Sequence, residues 1–229
     1  PFAPFIFLIC LVAGIAYLIY VKRKERELIE QVTPITRGEW SERRVVLKLL
    51  KAGINPKAIF HDLYIQKPNG TYTQVDVAVA TKVGLIVFEV KDYSGWIFGN
   101  EKYKMWTQSL PQGKGRPAKK EKFLNPIMQN KLHIRCLNEY LKEEYPIYSV
   151  IAFSQRCELK KIELVSDNSV VIKRNDITKV LAKNSKYSGQ LSEKAISEIY
   201  EKLYPLTQVG EEVKKQHIEN IKNEKNLKK

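Results

Sequence analysis

The sequence predicts an α/β domain preceded by one transmembrane helix. The first 21 residues carry no charged side chain, which is typical of a membrane span. Runs rich in β-branched and aromatic residues lie between residues 58 and 107 and predict strands. Apolar residues recur at helical spacing in residues 37–51 and 123–145, on either side of those strands. The roughly 200 residues after the span suit one domain of ordinary size.

Residues 1–21 are expected to form the transmembrane helix, because about 20 helical residues match a hydrocarbon core of roughly 30 Å. Lys22, Arg23, Lys24 and Arg26 follow at once. By the positive-inside rule they place the rest of the chain in the cytoplasm and the N-terminus outside. A cleaved signal peptide is the main alternative, although neither a basic n-region nor a small-residue cleavage site is seen. We therefore predict a single-pass protein of the cell membrane.

The charge balance indicates anionic partners. The chain has 39 Lys and Arg against 25 Asp and Glu, a formal net charge of +14, all of it after the span. Such a field attracts nucleic acid or anionic lipid. For the juxtamembrane basic linker, residues 22–36, anionic lipid is the favoured partner. The three cysteines show no CxxC spacing, so neither a disulfide framework nor a zinc site is predicted.

The elements of the domain follow from local patterns. A helix over residues 37–51 ends before Gly53, and Pro68-Asn69-Gly70 joins two strands into a hairpin. The predicted strands are residues 58–65, 72–80, 84–91, 95–98, 102–107, 148–153 and 169–172. The predicted later helices are residues 123–145, 176–182 and 192–203, the last capped by Ser192. Residues 110–120 are expected to form a loop, and the charged tail, residues 210–229, a frayed helix or disorder.

Three charged residues on neighbouring predicted strands carry the candidate chemistry. Glu89 and Lys91 are two residues apart, so their side chains leave the same face of a nearly continuous hydrophobic strand. Asp76 can approach them from the adjacent strand. Two carboxylates at a strand end suit a hard divalent cation such as Mg²⁺, and a lysine beside them can act on water or phosphate. A structural ion pair between Glu89 and Lys91 is the equal alternative.

Five short motifs in order resemble the NERD, or nuclease-related, domain over roughly residues 37–153. The motifs are Gly38-Glu39, Gln74-Val75-Asp76-Val77, the run from Gly84 through Glu89-Val90-Lys91 to Gly95, Trp106, and Asn125-Pro126-Ile127-Met128-Gln129. The resemblance implies a branch of the PD-(D/E)xK nuclease superfamily, with a restriction-endonuclease-like mixed β-sheet flanked by helices. Residues 154–209 would then be a C-terminal α/β extension packed on that domain.

The resemblance also implies roles for single residues. Asp76 and Glu89 would be the metal ligands and Lys91 the catalytic lysine. Glu39 would be a helical carboxylate near the metal, and Gln129 a polar residue approaching the site from the following helix. Val75 and Asp92 depart from the residues usual at their positions, Ile and Asn, without removing a ligand.

Alternatives stay open for the secondary residues. Glu39 also suits a helix start, where an acid is favoured by the helix dipole. Gln129 also suits a solvated helix face. Trp96 and Trp106 are expected to pack in the core or on the sheet rather than to stack on bases. The isolated histidines, His61 and His133, are expected to be structural or exposed, and His217 to lie outside the site.

Five basic residues lie in and beside the predicted loop and are candidates for contacts with nucleic acid: Lys114, Arg116, Lys119, Lys120 and Lys122. Contacts of this kind to phosphates give affinity without base choice. A solvated mobile loop is the alternative.

The resulting hypothesis is a membrane-anchored nuclease that uses Mg²⁺ or Mn²⁺ and no organic cofactor, with DNA favoured over RNA as substrate. The rival hypothesis is a non-catalytic, membrane-tethered module that binds nucleic acid. Both predict salt-sensitive DNA binding, so only cleavage separates them. The oligomeric state is not predicted.

Overall fold

The computed structural model describes residues 3–142, 145–167, 169–184 and 191–226. These residues form mixed β-sheets flanked by helices, which confirms the predicted α/β class. The helices are α1 (Ala3–Glu30), α2 (Trp40–Lys51), α3 (Pro126–Leu141), α4 (Ile177–Asn184), α5 (Glu193–Leu203) and α6 (Glu211–Asn226). The strands are β1 (Ile59–Gln66), β2 (Tyr72–Thr81), β3 (Gly84–Lys91), β4 (Gly95–Asn100), β5 (Met105–Leu110), β6 (Lys119–Leu124), β7 (Ile147–Phe153), β8 (Cys157–Glu163) and β9 (Ser169–Lys173).

The strands form two mixed sheets. The first has the order β1-β2-β3-β7-β9, with antiparallel pairs up to β3 and parallel pairs beyond it. The second has the order β6-β5-β4-β8, and only its β4–β8 pair is parallel. The chain turns between the sheets at Gly95, whose φ of +72° favours glycine. A Cβ there would lie 2.4 Å from the Ser109 carbonyl oxygen, so the turn also requires the absence of a side chain.

Helices cover both faces of the first sheet. On one face α2 packs Val46 and Leu49 against the sheet, in a cluster that includes Phe88. On the other face α3 and α5 form a second cluster with Val87. Side chains along a strand alternate between faces. Glu89 and Lys91 therefore leave β3 on the side covered by α3.

The apolar N-terminal helix continues past the predicted span. The segment Phe5–Glu30 is long and apolar enough to cross a membrane, with a hydropathy of 2.4, properties that a signal sequence shares. Because the helix ends at Glu30, residues 22–30 of the predicted linker are helical. The last turns of the helix contact the domain. Glu25 pairs with Arg44 at 2.8 Å and with Lys51 at 2.6 Å, both on α2.

Two edge strands differ from the sequence prediction. β6 was predicted as part of a loop and the start of a helix, and β8 was not predicted. Each lies at an edge of the second sheet and carries many charged residues. Edge strands are often charged because charge discourages pairing with other chains, and the charge conceals the strand periodicity.

The predicted charged tail contains the helix α6, and residues 227–229 lie outside the described residues. His217 on this helix contacts the first sheet. Its Nδ1 lies 3.0 Å from the Tyr72 carbonyl oxygen, and its ring meets Tyr64 edge-on at 5.6 Å. These contacts supply the tertiary packing that a polar helix needs.

Candidate functional site

Two adjacent strands, β2 and β3, bring the predicted charged residues to one end of the first sheet. The last paired residues are Val77 and Phe88, with Asp76 and Glu89 one position further along. The Val90 N–H donates a hydrogen bond to Asp76 Oδ2 at 2.7 Å. Lys91 Nζ lies 2.5 Å from Glu89 Oε1. Asp76, Glu89 and Lys91 thus form one cluster, called here the strand-end cluster.

Burial and charge set the protonation of the two carboxyl groups in opposite directions. Burial raises the pKa of Asp76 well above its usual value, and the negative charges of Glu89 and Glu42 raise it further. Burial also acts to raise the pKa of Glu89, but Lys91 and His133 outweigh it and lower that pKa to about 2. Glu89 therefore ionises more readily than Asp76, whose ionisation is opposed by burial and by the neighbouring carboxylates.

His133 is a site neighbour that sequence reasoning missed. It was expected to be structural or exposed, yet its Nε2 lies 3.1 Å from Glu89 Oε2. Its Nδ1 lies 2.7 Å from Thr73 Oγ1 on β2. One sequence signal was available, because His133 is one helical turn after Gln129 and so shares its face of α3.

The α2 carboxyl group that acts electrostatically on Asp76 is that of Glu42. Glu39 is exposed at the start of α2, where its backbone N–H donates to Glu42 Oε2 at 3.1 Å. Glu42 is 6% exposed. Burial and the nearby charges of Asp62, Glu39 and Glu89 raise its pKa to about 7. The physical reason is helical spacing: Glu42 precedes Val45, Val46 and Leu49 on the apolar stripe that faces the sheet.

His61 is buried and lies between α1 and α2. Its Nε2 is 3.1 Å from Glu42 Oε2, and its Nδ1 is 3.0 Å from Oγ1 of the buried Thr33. Burial lowers the pKa of His61 to about 4. The neutral imidazole therefore links the segment that follows α1 to the Glu42 carboxyl group on α2.

A strained residue on β1 shapes the strand beside Asp76. Asp62 has a φ of +59°, which is uncommon for a residue other than glycine. Arg37 Nε donates to Asp62 Oδ2 at 3.0 Å, and Gln74 Nε2 donates to Asp62 Oδ1 at 2.7 Å. These bonds hold β1 in register where it passes Asp76, which accounts for the polar Gln74 on β2.

The start of α3 is fixed by a cap rather than by its apolar pattern. The Asn125 side-chain oxygen accepts a hydrogen bond from the Ile127 N–H at 2.9 Å, and its amide nitrogen donates to the carbonyls of Glu101 and Tyr103. The cap begins the helix three residues later than predicted. It also orients the helix so that half-buried Gln129, one turn before His133, shares the face toward the cluster.

The two tryptophans have different environments. Trp106 is buried, stacks on Phe153 with ring centroids 6.2 Å apart, and donates from Nε1 to the Asn100 carbonyl at 3.0 Å. The prediction of core packing is therefore confirmed for Trp106. Trp96 instead lies on the outward face of the second sheet and is 40% exposed.

The five predicted basic residues are all exposed and fall in two elements. Lys114 and Arg116 lie in the loop before β6, whereas Lys119, Lys120 and Lys122 lie on β6 itself. The end of β6 is joined to the strand-end cluster through one aromatic contact. Phe123 packs on Tyr93 at 4.6 Å, and Tyr93 follows Lys91 by two residues.

The oxygen ligands of the cluster suit a hard divalent cation. Carboxylate oxygens are the protein ligands that Mg²⁺ prefers, with waters completing its coordination. The repulsion that raises the pKa of Asp76 is the repulsion that a bound cation would relieve. Within residues 3–142, 145–167, 169–184 and 191–226, no group of three or more His, Cys, Asp or Glu side chains is arranged to hold a metal ion. The cluster brings together two carboxyl groups, those of Asp76 and Glu89.

The fold and the cluster define an α/β protein with a carboxylate and lysine pair at the end of a central strand, the arrangement of PD-(D/E)xK-like proteins. The profile of the nuclease-related domain, NERD, matches residues 37–154, so the chain belongs to the NERD family. An uncharacterized protein of Bacillus anthracis is 29% identical over 198 residues, which cover 86% of this chain and 89% of that protein. No solved structure matches the chain significantly.

Proposed function

We propose that this protein is a membrane-anchored, metal-dependent nuclease that hydrolyses phosphodiester bonds of DNA, with RNA as the less favoured substrate. The observation that carries the proposal is the strand-end cluster, in which Glu89 lies 2.5 Å from Lys91 beside Asp76. Membership of a nuclease-related family supports it. The alternative, a structural ion pair between Glu89 and Lys91, involves one carboxylate, whereas the cluster also holds the buried Asp76, which accepts a hydrogen bond from the Val90 N–H.

Asp76 and Glu89 would hold Mg²⁺ or Mn²⁺ through their carboxylate oxygens. The bound ion would lower the pKa of a coordinated water and neutralise charge that develops on the phosphate. Lys91 Nζ, which is already fixed beside Glu89, can donate hydrogen bonds to the attacking water or to a phosphate oxygen.

Residues around the cluster would hold these groups in place. His133 fixes the second oxygen of Glu89, and Gln129 stands one helical turn before it on the same face. Glu42 would add negative charge from the opposite helix, in the role that the sequence comparison gave to Glu39. The exposed basic residues on β6 and in the preceding loop would bind the backbone phosphates of the substrate.

The apolar helix would anchor the domain. A segment of 26 residues with a hydropathy of 2.4 is long enough to cross the bilayer once. The basic residues that follow would keep the domain on the cytoplasmic side and the N-terminus outside. The pairs from Glu25 to Arg44 and Lys51 would tie the orientation of the domain to the anchor.

A cleavage assay tests the proposal. The full chain in lipid nanodiscs would be incubated with linear DNA, circular DNA and RNA, with Mg²⁺, with Mn²⁺ or with EDTA. We expect cleavage that requires metal and is lost in Asp76→Ala and in Lys91→Ala. Lys82→Ala is the matched control, because Lys82 is an exposed lysine in the turn at the opposite end of the β2–β3 hairpin.

The opposite result is equally informative. If none of the substrates is cleaved while DNA binding stays salt-sensitive and is unchanged in Asp76→Ala and Lys91→Ala, the nuclease proposal fails. The non-catalytic binding module then takes its place.

A further inference from the structure

The outward face of the second sheet carries two exposed aromatic rings on an interior strand. Trp96 and Phe98 lie two residues apart on β4, so they project from the same face, about 6.6 Å apart along the strand. They are 40% and 36% exposed, respectively. Between them Ile97 points inward and is fully buried. The rings are thus presented to solvent by a strand whose other face is fixed in the core.

Lysines flank these rings in register. Trp96 lies opposite Ser109, which lies opposite Lys120, and Phe98 lies opposite Thr107, which lies opposite Lys122. Residues directly opposite one another share a face of the sheet. The hydrogen bond from Lys122 Nζ to Thr107 Oγ1, 2.9 Å, is made on this outward face.

The other side of β4 carries two lysines, each paired with a glutamate on β8. Phe98 pairs with Lys161 on β8, and Lys160 Nζ stands 5.4 Å from the centroid of the Trp96 ring. Lys160 pairs with Glu158 at 2.7 Å, and Lys161 pairs with Glu163 at 3.0 Å. The face therefore combines two rings with four lysines and two glutamates. We call Trp96, Phe98, Lys120, Lys122, Lys160 and Lys161 the ring platform.

The lysines of the ring platform can be explained by their place on edge strands, but the exposed rings on β4 cannot. Lysines on the edge strands β6 and β8 discourage pairing with other chains. That purpose does not require exposed rings on β4, an interior strand, where contiguous apolar surface usually marks a binding site. Met105 and Leu124, opposite each other in the next row and also exposed, extend the apolar surface.

We infer that the ring platform binds single-stranded DNA. Unpaired bases stack on aromatic rings, and lysines beside the rings contact the backbone phosphates. In a duplex the base faces are covered by neighbouring bases, so they are not available to stack on exposed aromatic rings. A second copy of this chain would place two positively charged faces together.

The position of the platform suits delivery of a strand to the strand-end cluster. Trp96 follows Lys91 by five residues, so their Cα atoms are at most roughly 18 Å apart. Phe123, the next residue after Lys122 on β6, packs on Tyr93 near Lys91 from the inward face of the sheet. This inference rests on the proposed nuclease and specifies its substrate as the single-stranded form.

Binding without cleavage tests the platform. The full chain in phosphatidylcholine nanodiscs, in EDTA, would be titrated against a fluorescent oligothymidine of about 16 nucleotides and against duplex DNA of equal length. We expect the double variant Trp96→Ala, Phe98→Ala to bind single strands more weakly, by about 10-fold or more for each ring removed. Duplex binding should change less than about twofold, since duplex affinity depends on phosphate contacts.

Two further variants serve as controls. The double variant Trp96→Tyr, Phe98→Tyr keeps an aromatic ring at both positions and should retain its affinity for single-stranded DNA. Tyr140→Ala removes a ring of matched exposure, 41%, near the far end of α3 and should have no effect. Equal far-UV circular dichroism and thermal unfolding would establish that each variant is folded. Unchanged single-strand binding in the double alanine variant, or equal losses for single strands and duplexes, overturns the inference.

Two more arms separate this inference from its rivals. Tighter binding of RNA than of DNA of the same sequence overturns the assignment to DNA. A tryptophan fluorescence change on adding phosphatidylserine to the nanodiscs, lost in Trp96→Phe and not produced by oligothymidine, assigns the face to lipid and overturns it. If the wild type binds single strands through the rings but cleaves no DNA with Mg²⁺ or Mn²⁺, the nuclease proposal fails and the platform stands.

Discussion

His133 Nε2 lies 3.1 Å from Glu89 Oε2, on the carboxylate oxygen that Lys91 does not contact. The other imidazole nitrogen is 2.7 Å from Thr73 Oγ1, so the ring is held between two strand residues. This chain of contacts fixes the Glu89 carboxylate before any ligand arrives. A carboxylate fixed in advance loses less entropy when it binds a cation.

We expect His133→Ala to weaken Mn²⁺ binding roughly 10- to 100-fold, because a partner that orients a metal ligand typically contributes that much. Titration calorimetry on the full chain would measure it. His133→Gln should recover part of the affinity, since its amide N–H can donate to Glu89. Equal affinities for wild type and His133→Ala would show that Glu89 needs no such support.

The two helical acids, Glu39 and Glu42, should differ in their effect on cleavage. Glu42→Gln removes a buried negative charge near Asp76 and Glu89 and should lower cleavage at least about 10-fold, or about 1.4 kcal/mol in the barrier. Glu39→Ala removes an exposed acid at the helix start and should cost about 1 kcal/mol of stability at most, with cleavage retained. Rates and thermal unfolding of both variants would be compared. The reverse ranking would restore Glu39 to the site.

Glu42 and His61 should give opposite slopes of stability against pH in EDTA. The pKa of Glu42 is raised to about 7, so its contribution is full below pH 4.5 and is lost as pH rises through 7. The pKa of His61 is lowered to about 4, so its contribution is full above pH 6.5 and is lost as pH falls through 4. Between pH 4.5 and 6.5 the contribution of Glu42 to stability falls as pH rises, whereas the contribution of His61 rises.

Single substitutions separate these slopes. Relative to the wild type, the slope of stability against pH should become more positive in Glu42→Gln between 4.5 and about 7, and more negative in His61→Gln between about 4 and 6.5. Each slope should reach at most about 1.4 kcal/mol per pH unit. Urea unfolding across this range measures both. One common slope for the wild type and both variants would refute the opposed titrations.

Gly99→Ala should destabilise the domain by about 1–3 kcal/mol, the usual cost of forcing extra volume into a packed core. A Cβ at Gly99 would lie 2.2 Å from the ring of Trp106, which is held by Phe153 and by its bond to the Asn100 carbonyl. Gly210→Ala is the control, because a Cβ there meets nothing within 4 Å. Thermal unfolding of the two variants should differ by several degrees. Similar midpoints would mean that Trp106 can move.

Much of the fold was readable because its central elements bury regular patterns. The continuous hydrophobic run of β3 and the capped helix α5 appear within about one residue of their predicted bounds. The start of α3 was misplaced because Asn125 binds carbonyls of the distant β4–β5 turn, a contact that no local pattern contains. The edge strands were missed because their residues alternate weakly between buried and exposed positions.

The sequence by itself determined the apolar helix, the α/β class and the pairing of Glu89 with Lys91, because a period of two residues fixes which side chains share a strand face. Tertiary structure alone decided that His133 reaches Glu89, that Glu42 is buried in place of Glu39, and that Trp96 faces solvent while Trp106 is buried. Those outcomes depend on how α2, α3 and the second sheet pack against the first. Packing joins residues far apart in the chain, so no periodicity within one segment specifies it.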